Sequence, residues 1–243
     1  MAKQPNLAVK ITKAIQDIPV KDWESIFPKT LEDYYFFKTL DESGFENFSF
    51  FYIIIYNNGV PVGAASCFST RFALDIVVTG PLTHIFSQVR KIVPNLLNPK
   101  VFMCGLPMGM GRIGIKDNDP EIMRQIELSV EQLARKEKAL FVIFKDFTSF
   151  YGRLFKPLLG RGYHKIESIP STEMEINFSS FDEYLKNLSH TSREGFKRNY
   201  KKIDSQGKLD LEIKEVLDEF ELCQVYELYM QTYYKQGGGI EKL

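Results

Sequence analysis

Between residues 103 and 123 the chain reads MCGLPMGMGRIGIKDNDPEIM, with glycines at 105, 109, 111 and 114 ahead of a marked helix start. Glycine leaves main-chain N–H groups unshielded, and a helix N-terminus adds positive potential. A strand, a glycine-rich loop and a helix in this order therefore suit an anion such as a phosphate. Arg112 adds a charge-assisted donor. The same glycines also suit turns of positive φ or close backbone packing, and on the residues alone both readings are open. Gly109 to Gly114 satisfies G-x-G-x-x-G. A dinucleotide site, however, needs its helix to open at once and an acid about twenty residues on, after a second strand. Here residues 115–119 intervene before Pro120, and position 130 falls inside a helical pattern. That spacing argues against a Rossmann site, and the absence of GKS or GKT rules out a Walker loop.

Other residues with chemical potential are scattered. Asp146 follows the apolar run ALFVIF, where sites on open α/β sheets tend to lie; it also suits a strand end or a helix cap. His164, beside Tyr163, can donate or accept a proton or serve structure alone. Glu173 and Glu175 alternate on an expected strand and face solvent together, as does Lys145. The densest charge is SREGFKRNYKK, 192–202, with Arg193, Lys197, Arg198, Lys201 and Lys202 against Glu194 alone. On a helix, Arg193, Lys197 and either Arg198 or Lys201 share a face, which suits a phosphorylated partner or a solvated surface.

The elements that must position these residues follow from periodicity and breakers. LAVKIT (7–12) predicts a strand, VKDWESIF and TLEDYYFFKTLDESG two helices, with Thr30 and Asp33 as capping signal and Gly44 as stop. Two β-branched runs around Asn57-Asn58-Gly59 predict a hairpin. RFALDIVVTG (71–80) predicts a strand and FSQVRKIVPNLL (86–97) a helix interrupted by Pro94. KVFMCG is a short buried strand. Asp119-Pro120-Glu121 opens a helix, with Ile122, Ile126, Val130 and Leu133 on one face. ALFVIFKDF predicts a strand and FYGRLFKPLLGRGY a helix. STEMEINF (171–178) predicts an alternating strand, 180–207 one long helix, KLDLEIKEV (208–216) a strand, and EFELCQVYELYMQTYY a final helix. This order is an α/β protein with a mixed sheet.

Composition narrows the class. The 243 residues are 44% hydrophobic and 26% charged, an ordinary globular profile. Lys plus Arg and Asp plus Glu balance at 31 each, so no global charge directs the chain to nucleic acid or membrane. Cys67, Cys104 and Cys223 are widely spaced and odd in number, which suits buried thiols in a reducing compartment rather than a disulfide framework or a zinc site. No signal peptide is evident, and the longest apolar run, FFYIII, is one strand's length. The expected setting is cytoplasmic, with no transmembrane segment and no metal.

Three stretches resemble the GNAT superfamily of N-acyltransferases, nearest its Fem-type, two-domain branch. They are the helix pair leading into YIIIYNNGVPVGAA, the unit GLPMGMGRIGI with the helix and strand that follow it, and FDEYLKNLSHTSREGFKRNYKKIDSQGKLDLEI. Together they span most of residues 20–235. The resemblance implies a GNAT-like mixed sheet flanked by helices in residues 1–180. Residues 181–243 would then lead into a second such domain, truncated or absent here. It implies a bacterial enzyme moving an acyl group from acyl-CoA to an amine by direct attack. The carrier's pyrophosphate would rest on a Q/R-x-x-G-x-G/A loop. Gly109 and Gly111 match its small positions, while Leu106 stands where Gln or Arg is expected. Arg112, Arg193, Lys197 and Arg198 are the further cofactor-binding residues, and Asp146 and His164 the proton carriers. Two alternatives stand beside this: an aminoacyl-tRNA-dependent peptidyltransferase, with tRNA as partner, and a non-catalytic GNAT-shaped binding module. A partner domain or a second copy would complete the cleft.

Overall fold

The computed structural model describes residues 6–45, 47–71, 98–167, 172–207 and 212–235. The chain divides into two compact units, Met1–Ser168 and Ile169–Leu243. The expected strand beyond Arg71 and the helix over 86–97 lie outside the described residues.

The first unit is a mixed α/β fold. Its sheet takes β1 (Leu7–Thr12), β2 (Ser49–Asn57), β3 (Val60–Arg71), β4 (Lys100–Cys104), β5 (Ile113–Ile115) and β6 (Phe141–Phe144). The order is β1-β2-β3-β4-β6, with β5 also on β3. All pairs are antiparallel except β4 with β6. The β2–β3 hairpin closes with Asn57 opposite Val60. Its two turn residues, Asn58 and Gly59, have φ of 49° and 81°. That is the doubly left-handed turn whose twist matches the strands, and Asn-Gly tolerates it best.

Helices cover both faces, which explains why FFYIII is apolar without alternation. Phe51, Ile53 and Ile55 face α3 (Pro120–Lys136), where Ile122, Ile126, Val130 and Leu133 form the apolar stripe. Tyr52 and Ile54 face α1 (Val20–Ile26) and α2 (Tyr34–Glu42). There Trp23 meets Phe27, Phe37 and Tyr52 at ring-centroid distances of 5.0, 5.2 and 5.8 Å. The cap of α2 differs from expectation. Asp33 alone accepts from Phe36 N, at 2.9 Å, and the Thr30 hydroxyl donates to the Glu32 carbonyl. Asp33 immediately precedes the first helical residue, so only its carboxylate can reach the third amide. α4 (Gly152–Leu159) follows β6 and ends at Gly160, as predicted.

The second unit contains α5 (Phe181–Asn187), α6 (His190–Gln206) and α7 (Glu219–Lys235). The single helix expected over 180–207 breaks in two because Ser189 starts a new one, its hydroxyl accepting from Ser192 N at 3.2 Å. Residues 172–178 and 212–217 form no strand. An alternating pattern specifies a face, but a strand exists only where a neighbour completes its ladder.

Candidate active site

The carboxyl ends of the parallel strands β4 and β6 carry irregular backbone, with positive φ at Gly105, Gly109 and Asp146. β4 and β5 are successive stretches of one strand laid along β3. Cys67 pairs with Cys104 and Ala65 with Ile113. The single residue Ser66 therefore faces the excursion 105–112. At its root, Gly105 N–H donates to the Ser66 carbonyl at 2.9 Å, and the Ser66 hydroxyl donates to the Gly105 carbonyl at 3.3 Å. On the other side Lys145 N–H donates to the Cys104 carbonyl at 2.9 Å before β6 turns away. The turn is made at Asp146, whose φ is 54°.

This geometry answers much of the glycine spacing. A Cβ on Gly111 would stand 2.1 Å from the Lys145 carbonyl oxygen and 2.8 Å from the Phe147 ring. Gly111 N–H donates to the Asp146 carbonyl at 3.0 Å, so the loop lies directly on the end of β6. Gly114 is equally tight against Ile26. Gly109, by contrast, has open space around it and φ of 87°, a conformation that favours glycine. Leu106 turns inward and is 2% exposed among the rings around Trp23. Arg112 reaches Glu32, at 3.5 Å.

Asp146 projects a half-buried carboxylate that pairs with Lys145 Nζ at 2.5 Å. His164 is exposed beyond α4. On α6, in the second unit, Lys197 and Arg198 are exposed and Arg193 is partly buried, and Lys197 pairs with Glu194 at 3.1 Å. That pairing holds the Glu194 carboxyl below its ordinary range. The first unit thus brings Gly109, Gly111, Arg112 and Asp146 to one loop and strand end, and α6 carries the remaining cations.

A second set was missed from sequence. A groove of about 600 Å³ runs between the first half of α3 and α4, lined by Asn118, Pro120, Arg124, Phe150, Arg153 and Arg161 among others. Both helices begin just after the carboxyl ends of their strands, so the groove opens where ligands of open sheets collect. Glu127, fully buried beneath it, accepts from Arg124 Nη1 at 2.8 Å and from the Arg161 guanidinium. The Glu127 contact raises the Arg124 pKa, keeping that guanidinium charged. The lining itself holds three arginines and no acid. The legible signal was Arg124 and Glu127 at i, i+3 on the helix after a glycine loop; Arg153 and Arg161 gave none. The Tyr151 hydroxyl, bonded to Ile113 O at 3.2 Å, ties the start of α4 to β5, and burial raises its pKa.

Among the described residues no three His, Cys, Asp or Glu side chains are grouped to hold a metal ion, and no described helix is long and apolar enough to cross a membrane. No family model and no curated protein matches the chain. Solved structures similar to it include an aminoglycoside N-acetyltransferase in complex with CoA, at TM-score 0.44 and 10% identity, covering 72% of this chain and 98% of the other. A ribosomal-protein-alanine N-acetyltransferase from Brucella melitensis is similar at TM-score 0.41 and 8% identity, covering 69% and 99%. A GNAT family acetyltransferase from Staphylococcus aureus is similar at TM-score 0.39 and 8% identity, covering 69% and 98%.

Proposed function

We propose that the chain is an N-acyltransferase that moves an acyl group from acyl-CoA to an amine. The observation that carries this reading is the groove of Arg124, Arg153 and Arg161 beside an interrupted strand. A polyphosphate carrier needs cations at one end and main-chain donors about a thioester's reach away. The groove supplies the first. The excursion supplies the second at residues 106 and 108–110, which lie between the Gly105 and Gly111 main-chain bonds and outside the β3 ladder.

In the reaction the amine nitrogen attacks the thioester carbonyl carbon, the C–S bond breaks, and the CoA thiolate leaves. The amine's proton passes to a base and finally to the thiolate, giving amide and CoA. The thioester is already activated, so positioning and one proton acceptor suffice. Asp146, at the end of β6 and beside the loop, is the proposed acceptor, with His164 as second proton carrier. Gly109, Gly111 and Arg112 shape the loop that receives the carrier. On α6 of the second unit, taken by itself, Arg193, Lys197 and Arg198 are the proposed phosphate-binding cations, for the carrier or, in the peptidyltransferase reading that this basic face favours, for a tRNA backbone. The proposed setting is a bacterial cytoplasm. A partner domain or second copy would complete the amine side, and in the third reading the fold only holds its ligand.

Thermal unfolding with CoA, acetyl-CoA and a long-chain acyl-CoA tests this. A ligand at a hundred times its dissociation constant adds about 2.7 kcal/mol of stability. The shift should occur, and should shrink in Arg124→Ala and in Arg153→Ala. No shift with any of the three compounds overturns the acyl-CoA reading. A shift without amide formation across a panel of amines leaves the binding module.

A further inference from the structure

Cys67 and Cys104 are Cα partners across the antiparallel pair of β3 and β4. Register decides how near they come. The Gly105 N–H to Ser66 carbonyl bond, at 2.9 Å, makes Ser66–Gly105 a hydrogen-bonded pair. The next pair along, Cys67–Cys104, is therefore of the non-hydrogen-bonded kind. In such pairs the Cα atoms lie about 4.5 Å apart and the side chains approach most closely. A disulfide spans Cα atoms roughly 4.4–6.8 Å apart, so the backbone needs no rearrangement to accept one.

The side chains meet the same requirement. Both cysteines point to the α3 face of the sheet, packed in the cluster that holds Phe51, Phe102 and Ile126. Neither is more than 1% exposed, and after burial it is Cys104 that acts most on the Cys67 thiol. The third cysteine, Cys223, is exposed on α7. The pair also sits at a consequential place, because Cys104 is the last residue of β4 and roots the 105–112 excursion.

We propose that Cys67 and Cys104 form a modification site that closes to a cross-strand disulfide beneath α3. The oxidant is a small peroxide. One sulfur attacks the O–O bond, forming a sulfenic acid and releasing one water. The second sulfur attacks the sulfenic sulfur, the S–O bond breaks, the S–S bond forms, and a second water leaves. Two thiols lose two electrons and two protons, and one hydrogen peroxide becomes two waters. Burial pushes the Cys67 thiol well up, so its thiolate is scarce and the reaction in the folded chain is slow. The covering helix excludes bulky disulfides such as oxidised glutathione, whereas peroxide is scarcely larger than water. The bond ties β3 to the residue before Gly105 and so pins the root of the loop. It stands whether or not the chain transfers acyl groups.

The test uses the full chain carrying Cys223→Ser. One sample is treated folded with hydrogen peroxide. Another is refolded from denaturant in a glutathione redox buffer. Each is then unfolded in N-ethylmaleimide and mapped by mass spectrometry. The expected result in at least one arm is a peptide cross-linked between Cys67 and Cys104, with neither thiol alkylated, and recovery of both thiols after dithiothreitol. The cross-linked chain should unfold cooperatively and above its reduced form. Cys104→Val should leave Cys67 fully alkylated. Alkylation of both cysteines in both arms overturns the proposal, as does oxygen addition to either without a cross-link. So does a cross-linked chain that no longer folds cooperatively.

Discussion

Gly111 donates its main-chain N–H to the Asp146 carbonyl at 3.0 Å, and at that point the glycine loop rests on the end of β6. The contact is backbone to backbone, with no room for a side chain between. It couples the residue proposed to shape the carrier loop to the residue proposed to take the proton.

Gly111→Ala should therefore be costly. Its Cβ would lie 2.1 Å from the Lys145 carbonyl oxygen, and main chain cannot swing away as a side chain can. Overpacking of this kind costs roughly 1–3 kcal/mol. Gly195→Ala is the control: it lies within α6 with nothing inside 4 Å, and should gain about 0.5–1 kcal/mol. Urea unfolding of the two variants reads both signs.

Asp146 is held at φ 54°, a conformation that costs a non-glycine residue about 1–2 kcal/mol. Asp146→Gly should leave stability equal or higher while removing the carboxylate. If Asp146 takes the amine's proton, kcat should fall by about 10²–10⁴. Unchanged turnover in a stable Asp146→Gly enzyme would assign the proton to another group.

Glu127 is 0% exposed and carries two arginine partners. Glu127→Ala leaves Arg124 and Arg161 without their acid; both guanidinium groups are more than a third exposed, so water takes up part of the loss and the cost should be about 1–3 kcal/mol. Glu127→Gln keeps the shape and should cost less. Denaturant midpoints of the three proteins give the order wild type, Gln, Ala.

Glu137 predicts a pH dependence. Its carboxylate accepts from Lys100 Nζ at 2.5 Å, with Lys13 also near, and these hold its pKa below the ordinary value. A folded-state pKa lower than the unfolded one stabilises above the unfolded value. That stability is lost as pH falls through the folded value. Glu137→Gln should cost about 1–2 kcal/mol near pH 7. The difference from wild type should close as the pH drops below the ordinary carboxylate range. A gap that is constant with pH would show the contribution to be packing, not charge.

Much of the first unit was legible in sequence because its signals are local. Asn58-Gly59 dictates its turn, Asp119-Pro120-Glu121 dictates a helix start, and FFYIII announces a strand, whose cover on both faces the structure added. Such signals depend on residues a few positions apart, whose dihedral preferences act before any tertiary contact forms. The failures were of the other kind. The alternation at 172–178 predicted a strand, and helical periodicity ran through Ser189, yet the first needed a pairing neighbour and the second yielded to a hydroxyl cap. The candidate site divides in the same way. Sequence alone determined that a glycine loop joins a strand to a capped helix, and that Asp146 ends an apolar strand. Only the tertiary structure decided that Gly111 is tight against Lys145, that Leu106 points inward, and that Arg124, Arg153 and Arg161 line one groove over Glu127. Those relations join residues far apart in the chain, as Leu106 packs with Trp23 and Gly111 meets Lys145, and it is the sheet's register and its covering helices that set them, not the spacing along the chain.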